Sequence, residues 1–100
     1  MGKLETSGIR PIVIKEITEF AKEYGLKEVI LFGSRARGDY ERASDIDLAV
    51  RSGRIDEFTI AVKEATSTIL DIDVIELEQQ LQEKLRDSIR REGVLIYEEV

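Results

Sequence analysis

Two short apolar segments of this chain each begin with two aspartates separated by a single isoleucine. The first is Asp45-Ile46-Asp47, followed by Leu48, Ala49 and Val50, and the second is Asp71-Ile72-Asp73, followed by Val74 and Ile75. Because successive side chains of a β-strand point to opposite faces, each segment predicts a strand with one acidic face and one apolar face. The chain is therefore expected to form a sheet whose apolar face is buried under other elements.

The spacing of the remaining apolar residues predicts the elements around these strands. A helix is expected over residues 10–24, with Pro11 in its first turn and Gly25 at its end. Strands are expected at residues 27–32, 46–50 and 69–75, and a final edge strand at residues 94–97. Two further helices are indicated by apolar residues at helical spacing. The first stripe is Ile55, Phe58, Val62, Ala65 and Ile69. The second stripe is Leu77, Leu81, Leu85 and Ile89, and its helix is expected to end at Gly93.

This order of elements predicts an α+β fold, in which a small mixed sheet is backed by helices. The 100 residues are expected to form one domain, residues 1–100. The longest apolar runs have four residues, far fewer than the roughly 20 that a membrane-spanning helix needs, so no membrane association is expected. The absence of cysteine and of an apolar leader makes the cytoplasm the expected location.

Composition also narrows the chemistry. The chain has no histidine and no cysteine, which excludes Ser-His and Cys-His catalysis and the usual zinc sites. A net charge of −6 argues against stable nucleic-acid binding driven by phosphate contacts. Catalysis, if present, must use carboxylates, hydroxyls, lysine, arginine or a metal ion held by oxygen ligands.

The paired aspartates are candidate metal ligands. Two residues of strand separate Asp45 from Asp47 by roughly 6.5–7 Å, so their carboxylates can converge on divalent cations. Asp71 and Asp73 repeat the pattern, although aspartate is depleted in strands. An edge strand whose acidic face is simply in water would give the same spacing, and that alternative stays open at this point.

The strand at residues 27–32 ends at Gly33-Ser34, where a phosphate-binding turn is possible. Glycine permits close approach of the backbone, and serine offers a hydroxyl and an N–H group to a phosphate oxygen. A hairpin-like return of the chain would bring Ser34 beside the aspartate face. Arg35 and Arg37 follow in a locally basic loop, so Gly33, Ser34 and one or both arginines are predicted to hold an anionic triphosphate.

The segment LFGSRARGDYERASDIDLAV, residues 31–50, resembles the signature of the minimal nucleotidyltransferases of the DNA polymerase β superfamily. The later aspartate-bearing strand and the closing LRDSIRREGVLIYEE share the resemblance. It implies a polymerase β palm-like fold, ATP as the most common nucleotide, and two Mg²⁺ ions held by Asp45 and Asp47. A third carboxylate, which helps bind one ion and activates the attacking hydroxyl, best matches Asp73, with Asp71 as the alternative.

The resemblance also implies a function and a partner. Proteins of this minimal type act as antitoxins of HEPN-domain toxins, which they silence by transferring AMP to a tyrosine hydroxyl. Because no acceptor-binding domain is evident, the acceptor is expected to be presented by the partner protein. Two alternatives remain at this point: an antitoxin that acts by binding alone, and a transferase that modifies a small molecule such as an aminoglycoside.

Overall fold

The computed structural model of the chain describes residues 4–79 and 82–99. Its elements, in chain order, are α1 Pro11–Glu23, β1 Glu28–Phe32, α2 Ser34–Arg37, β2 Ile46–Arg51, α3 Ile55–Ala65, β3 Ile72–Glu76, α4 Glu83–Glu92 and β4 Val94–Glu98. The strands form one sheet in the order β3-β2-β1-β4. β2 and β3 are parallel, and the other neighbouring pairs are antiparallel. The mixed, helix-backed sheet predicted from the sequence is therefore confirmed.

The core lies between one face of this sheet and the helices α1 and α3. Val13 and Ile17 of α1 and Phe58 and Val62 of α3 are fully buried against that face. The strand residues that they cover alternate along the sheet: Val29, Leu31, Ile46, Leu48, Val50 and Ile72. Asp47 lies between two of these positions, so its side chain points to the opposite face, as the alternation predicted.

The opposite face is partly covered by α4, whose last turn leads into β4. Gly93, which ends α4, lies against Ile30 of β1, where a Cβ atom would overlap the isoleucine side chain. This close approach fixes α4 over the β1 side of the sheet and leaves the start of β2 and β3 open. None of the helices in the described ranges has the length and apolar character needed to cross a bilayer.

Three boundaries differ from the predicted ones by more than one residue. α3 ends at Ala65, and β3 begins at Ile72, so Ile69 lies in the intervening loop with its side chain fully exposed. That loop is tied to α1, because the Ser67 N–H and hydroxyl donate hydrogen bonds to the Glu16 carboxylate, both at 2.7 Å. Leu77 belongs to the turn after β3, not to α4, and Leu81 lies outside the described residues.

The loop between β1 and β2 wraps around one buried arginine. Arg35 is only 2% exposed, and its guanidinium lies 4.6 Å from the centroid of the Tyr40 ring. Its three nitrogens donate hydrogen bonds to the backbone carbonyls of Ser44 at 3.0 Å, Ser7 at 2.9 Å and Arg42 at 3.2 Å. This corrects the expectation that Arg35 contacts a nucleotide, because a side chain so enclosed holds the loop instead.

We predict that Arg35→Lys lowers the free energy of unfolding by about 2–4 kcal/mol, because one ammonium cannot serve three carbonyls and leaves buried acceptors unsatisfied. Arg37→Lys, two residues away on the exposed side of α2, should leave the unfolding midpoint unchanged. Urea denaturation of both variants measures the difference. Equal midpoints for the two variants would contradict the structural role of Arg35.

Candidate functional site

Four acidic residues lie in the region where β2 and β3 begin side by side. Asp47 of β2 lies directly opposite Asp73 of β3 in the parallel register. Asp45 comes immediately before β2, and the Ile46 N–H donates a hydrogen bond of 2.9 Å to the carbonyl of Asp71. Asp73 is thus the direct neighbour of Asp47, whereas Asp71 lies one step back, before β3 begins. The register favours Asp73 over Asp71 as the companion of the aspartate pair.

The charge of Asp47 is disfavoured by its surroundings. Burial raises the pKa of this half-buried carboxyl above its ordinary value of 3.8, and the nearby carboxylates of Asp73 and Asp45 raise it further, while Arg37 partly offsets them. A raised pKa in the folded state means that ionised Asp47 lowers stability at neutral pH. This loss of stability disappears when the pH falls below the pKa that Asp47 has in the unfolded chain, because the carboxyl is then protonated in both states.

The same carboxylates fit a divalent cation by their chemistry. Within residues 4–79 and 82–99, no three acidic side chains already converge closely enough to coordinate one ion. Asp45, Asp47 and Asp73 nevertheless offer only carboxylate oxygens, which are the ligands that Mg²⁺ prefers. A cation held between them would also offset the repulsion that raises the pKa of Asp47. These three residues are therefore the ones that suit the magnesium ions predicted from the sequence.

Gly33 lies directly against the Asp47 carboxylate. The antiparallel register pairs Phe32 with Asp47, so the chain returns as a hairpin, as predicted. Gly33 has a φ of +77°, and a Cβ at this position would overlap Oδ2 of Asp47. Only glycine leaves room for the carboxylate here. Ser34 follows at the start of α2, and among the described residues its hydroxyl has no hydrogen-bond partner, so it stays available for a ligand.

Arg37 is an exposed cation that follows this joint in α2. Its Nε atom lies 3.2 Å from Oδ2 of Asp39 and 4.0 Å from Oε2 of Glu92, at the end of α4. Its positive charge also acts on Asp47, where it partly offsets the rise in the pKa of that carboxyl. Of the two arginines predicted to add charge to a triphosphate site, Arg37 is the one that the structure leaves accessible.

The sequence alone did not identify one further residue at the site. A cavity of about 190 Å³ opens beside the aspartates, and Lys63 of α3 lines it together with Asp45, Leu70, Asp71, Ile72 and Asp73. Lys63 lies in the last turn of the helix that joins the parallel strands β2 and β3. Because such a connection must return the chain to the start of the next strand, the end of this helix could have been placed near the aspartates.

We predict that Gly33→Ala removes nucleotide–metal binding by displacing the Asp47 carboxylate. Gly38→Ala is the matched control: Gly38 also has a positive φ, +92°, but a Cβ there would meet nothing within 4 Å. Both variants should lose about 1 kcal/mol of stability from the backbone conformation. Calorimetric titration with Mn²⁺ and ATP should show binding to Gly38→Ala only. Equal binding to both variants would rule out the proposed contact between residue 33 and the ligand site.

Solved structures of other proteins share this fold. A crystal structure of a toxin–antitoxin with AMP-PNP superimposes with a TM-score of 0.68 at 23% sequence identity, covering 86% of this chain and 73% of that chain. A candidate nucleotidyltransferase from Sulfolobus solfataricus has a TM-score of 0.52 at 31% identity, covering 96% of this chain and 87% of that chain. The second match extends the likeness to sequence as well as fold.

Sequence relatives point in the same direction. Two proteins of Methanocaldococcus jannaschii, both named as candidate protein adenylyltransferases, are 40% identical over 50 residues and 36% identical over 81 residues. The first alignment covers 49% of this chain and 58% of the relative, and the second covers 72% and 79%. Residues 15–100 match the family model described as polymerase beta, nucleotidyltransferase. The chain therefore belongs to the polymerase β nucleotidyltransferase family.

Proposed function

We propose that this chain is a magnesium-dependent nucleotidyltransferase that moves AMP from ATP to a side-chain hydroxyl of a partner protein. The partner is proposed to be a HEPN-domain toxin, which this chain silences as its antitoxin. The observation that carries the proposal is the parallel register that places Asp73 beside Asp47, with Gly33 against the same carboxylate. That arrangement joins a candidate cation site to a candidate phosphate-binding turn.

The choice of AMP and of a protein acceptor rests on the relatives. Both of the M. jannaschii proteins are named for protein adenylyl transfer, although the first alignment spans little more than half of that relative. Structural neighbours are toxin–antitoxin complexes, one with AMP-PNP and one with a tyrosine-to-alanine substitution. A tyrosine hydroxyl is accordingly the acceptor that we propose for this chain.

Each residue of the site has its own role in the proposed reaction. Asp45, Asp47 and Asp73 would hold the cations, which supply positive charge for the α-phosphate and the departing pyrophosphate. Ser34 and Arg37, on the β1 side, bind the β- and γ-phosphates. Asp73, which is exposed, takes the proton of the acceptor hydroxyl. The acceptor oxygen forms a bond to the α-phosphorus, the bond from that phosphorus to the bridging oxygen breaks, and pyrophosphate leaves.

An antitoxin that acts by binding alone is a poorer fit to the site. Ionised Asp47 is disfavoured by burial and by two neighbouring carboxylates. A pure binding module gains nothing from keeping a charge that lowers its stability, whereas an enzyme that binds cations does.

The proposal is tested by incubating the protein with labelled ATP, Mg²⁺ and the product of the neighbouring gene, which is the proposed partner. The wild type should raise the partner's mass by one or more AMP units, and the Asp45→Asn/Asp47→Asn double variant should not. If the double variant protects cells from the partner as well as the wild type does, protection does not depend on transfer.

Asp73 and Asp71 provide a matched pair of variants, one inside β3 and one just before it. We predict that Asp73→Asn lowers the rate of transfer by about 10²-fold or more at saturating partner, because it removes both a cation ligand and the proton acceptor. Asp71→Asn should keep the maximal rate within a few-fold of the wild type. Rapid-quench measurement of AMP transfer separates the two. The opposite ranking would assign the third carboxylate to Asp71.

A further inference from the structure

We infer that the cavity beside β3 receives the acceptor side chain and that Lys63 and Asp71 position it there. This inference rests on the function proposed above and assigns roles to two residues that the transfer chemistry itself does not use. Both residues line the same cavity of about 190 Å³ as Asp45 and Asp73.

The side from which the acceptor enters follows from the strand order. In phosphoryl transfer, the attacking and leaving oxygens lie roughly in line on opposite sides of the phosphorus. Asp47 has β1 on one side, where Phe32 leads into Gly33, and β3 on the other, where Asp73 lies. With the triphosphate on the Ser34 and Arg37 side, pyrophosphate departs toward β1. The acceptor must then approach from β3, which is where the cavity opens.

The cavity has the size of one side chain. Its volume of about 190 Å³ is below the range of roughly 300–1,000 Å³ typical of pockets that enclose drug-sized ligands, and suits a single side chain. Leu70 gives the wall an apolar surface, and the carboxylates of Asp71 and Asp73 give it hydrogen-bond acceptors. Ile69, next to Leu70 in the chain, is fully exposed. An aromatic side chain that ends in a hydroxyl suits both the apolar wall and the acceptors.

Lys63 and Asp71 carry opposite charges at this opening. Among the described residues the Lys63 ammonium forms no ion pair, so its donors are available to the acceptor oxygen while Asp73 accepts the proton. Asp71 is exposed and lies outside the proposed cation ligands, which leaves its carboxylate to accept a hydrogen bond from the partner segment that carries the acceptor. Both are positioning residues, because they orient the acceptor without taking part in bond exchange.

Steady-state kinetics with Mg²⁺, ATP and the product of the neighbouring gene, the proposed partner, test the inference. Lys63→Gln and Asp71→Asn should each raise the KM for the partner about tenfold, which corresponds to the loss of one charge-assisted contact. The KM for ATP should be unchanged. Lys63→Arg should keep the wild-type KM for the partner, because it retains the charge and the donors. Lys22→Gln is the matched control, because Lys22 is the basic residue in the last turn of α1, as Lys63 is in the last turn of α3.

The outcomes separate this inference from the proposed function. If the wild type transfers AMP and Lys63→Gln and Asp71→Asn keep the wild-type KM for the partner, the positioning role is wrong and the proposed function stands. If Lys63→Arg raises the KM for the partner as much as Lys63→Gln does, the role assigned to the ammonium is overturned. The same conclusion follows if Lys63→Gln raises the KM for ATP by the same factor as the KM for the partner. If the wild type transfers no AMP to the partner, the proposed function fails, and this inference fails with it. Thermal melting of each variant checks that it is folded.

Discussion

The repulsion between carboxylates at the start of β2 and β3 is the constraint on which the site depends. The parallel register puts Asp47 and Asp73 side by side, and Asp45 adds a third negative charge nearby. Burial makes the charge of Asp47 still less favourable. A fold selected for stability alone would place asparagine, threonine or an apolar residue there. The cluster is understandable if a divalent cation offsets the repulsion when the site is working.

The rest of the fold brings these charges together and keeps them accessible. α1 and α3 bury the apolar face of the sheet, so the aspartates must lie on the other face. α3 is also the connection that makes β2 and β3 parallel neighbours, and it brings Lys63 to the same place. Arg35 anchors the loop before Asp45 from inside, while Gly33 leaves space for the Asp47 carboxylate. The buried arginine and the glycine thus hold the site in shape without carrying its charge.

The fold and the aspartates were predictable because they follow from local rules. Strand alternation placed Asp45 and Asp47 on one face. The hairpin-like return of the chain after Gly33 was predictable because a short loop there has an apolar strand on either side. The burial of Arg35 was not predictable, since its guanidinium joins the carbonyls of Arg42 and Ser44 in its own loop to the carbonyl of Ser7, which is remote in sequence. Ile69 was assigned to the wrong elements because periodicity cannot distinguish an exposed loop isoleucine from one at the end of a helix or strand.

The most direct test of the account is the melting temperature of the wild type and Asp47→Asn, each measured at pH 7 with EDTA and with Mg²⁺ and ATP. Without cations, Asp47→Asn should melt above the wild type, because it removes the disfavoured charge, and this difference should vanish below pH 3.8. Mg²⁺ with ATP should then stabilise the wild type but not the variant. A variant that melts at or below the wild type in EDTA, together with an equal response of both proteins to Mg²⁺ and ATP, would contradict a cation site built on these carboxylates.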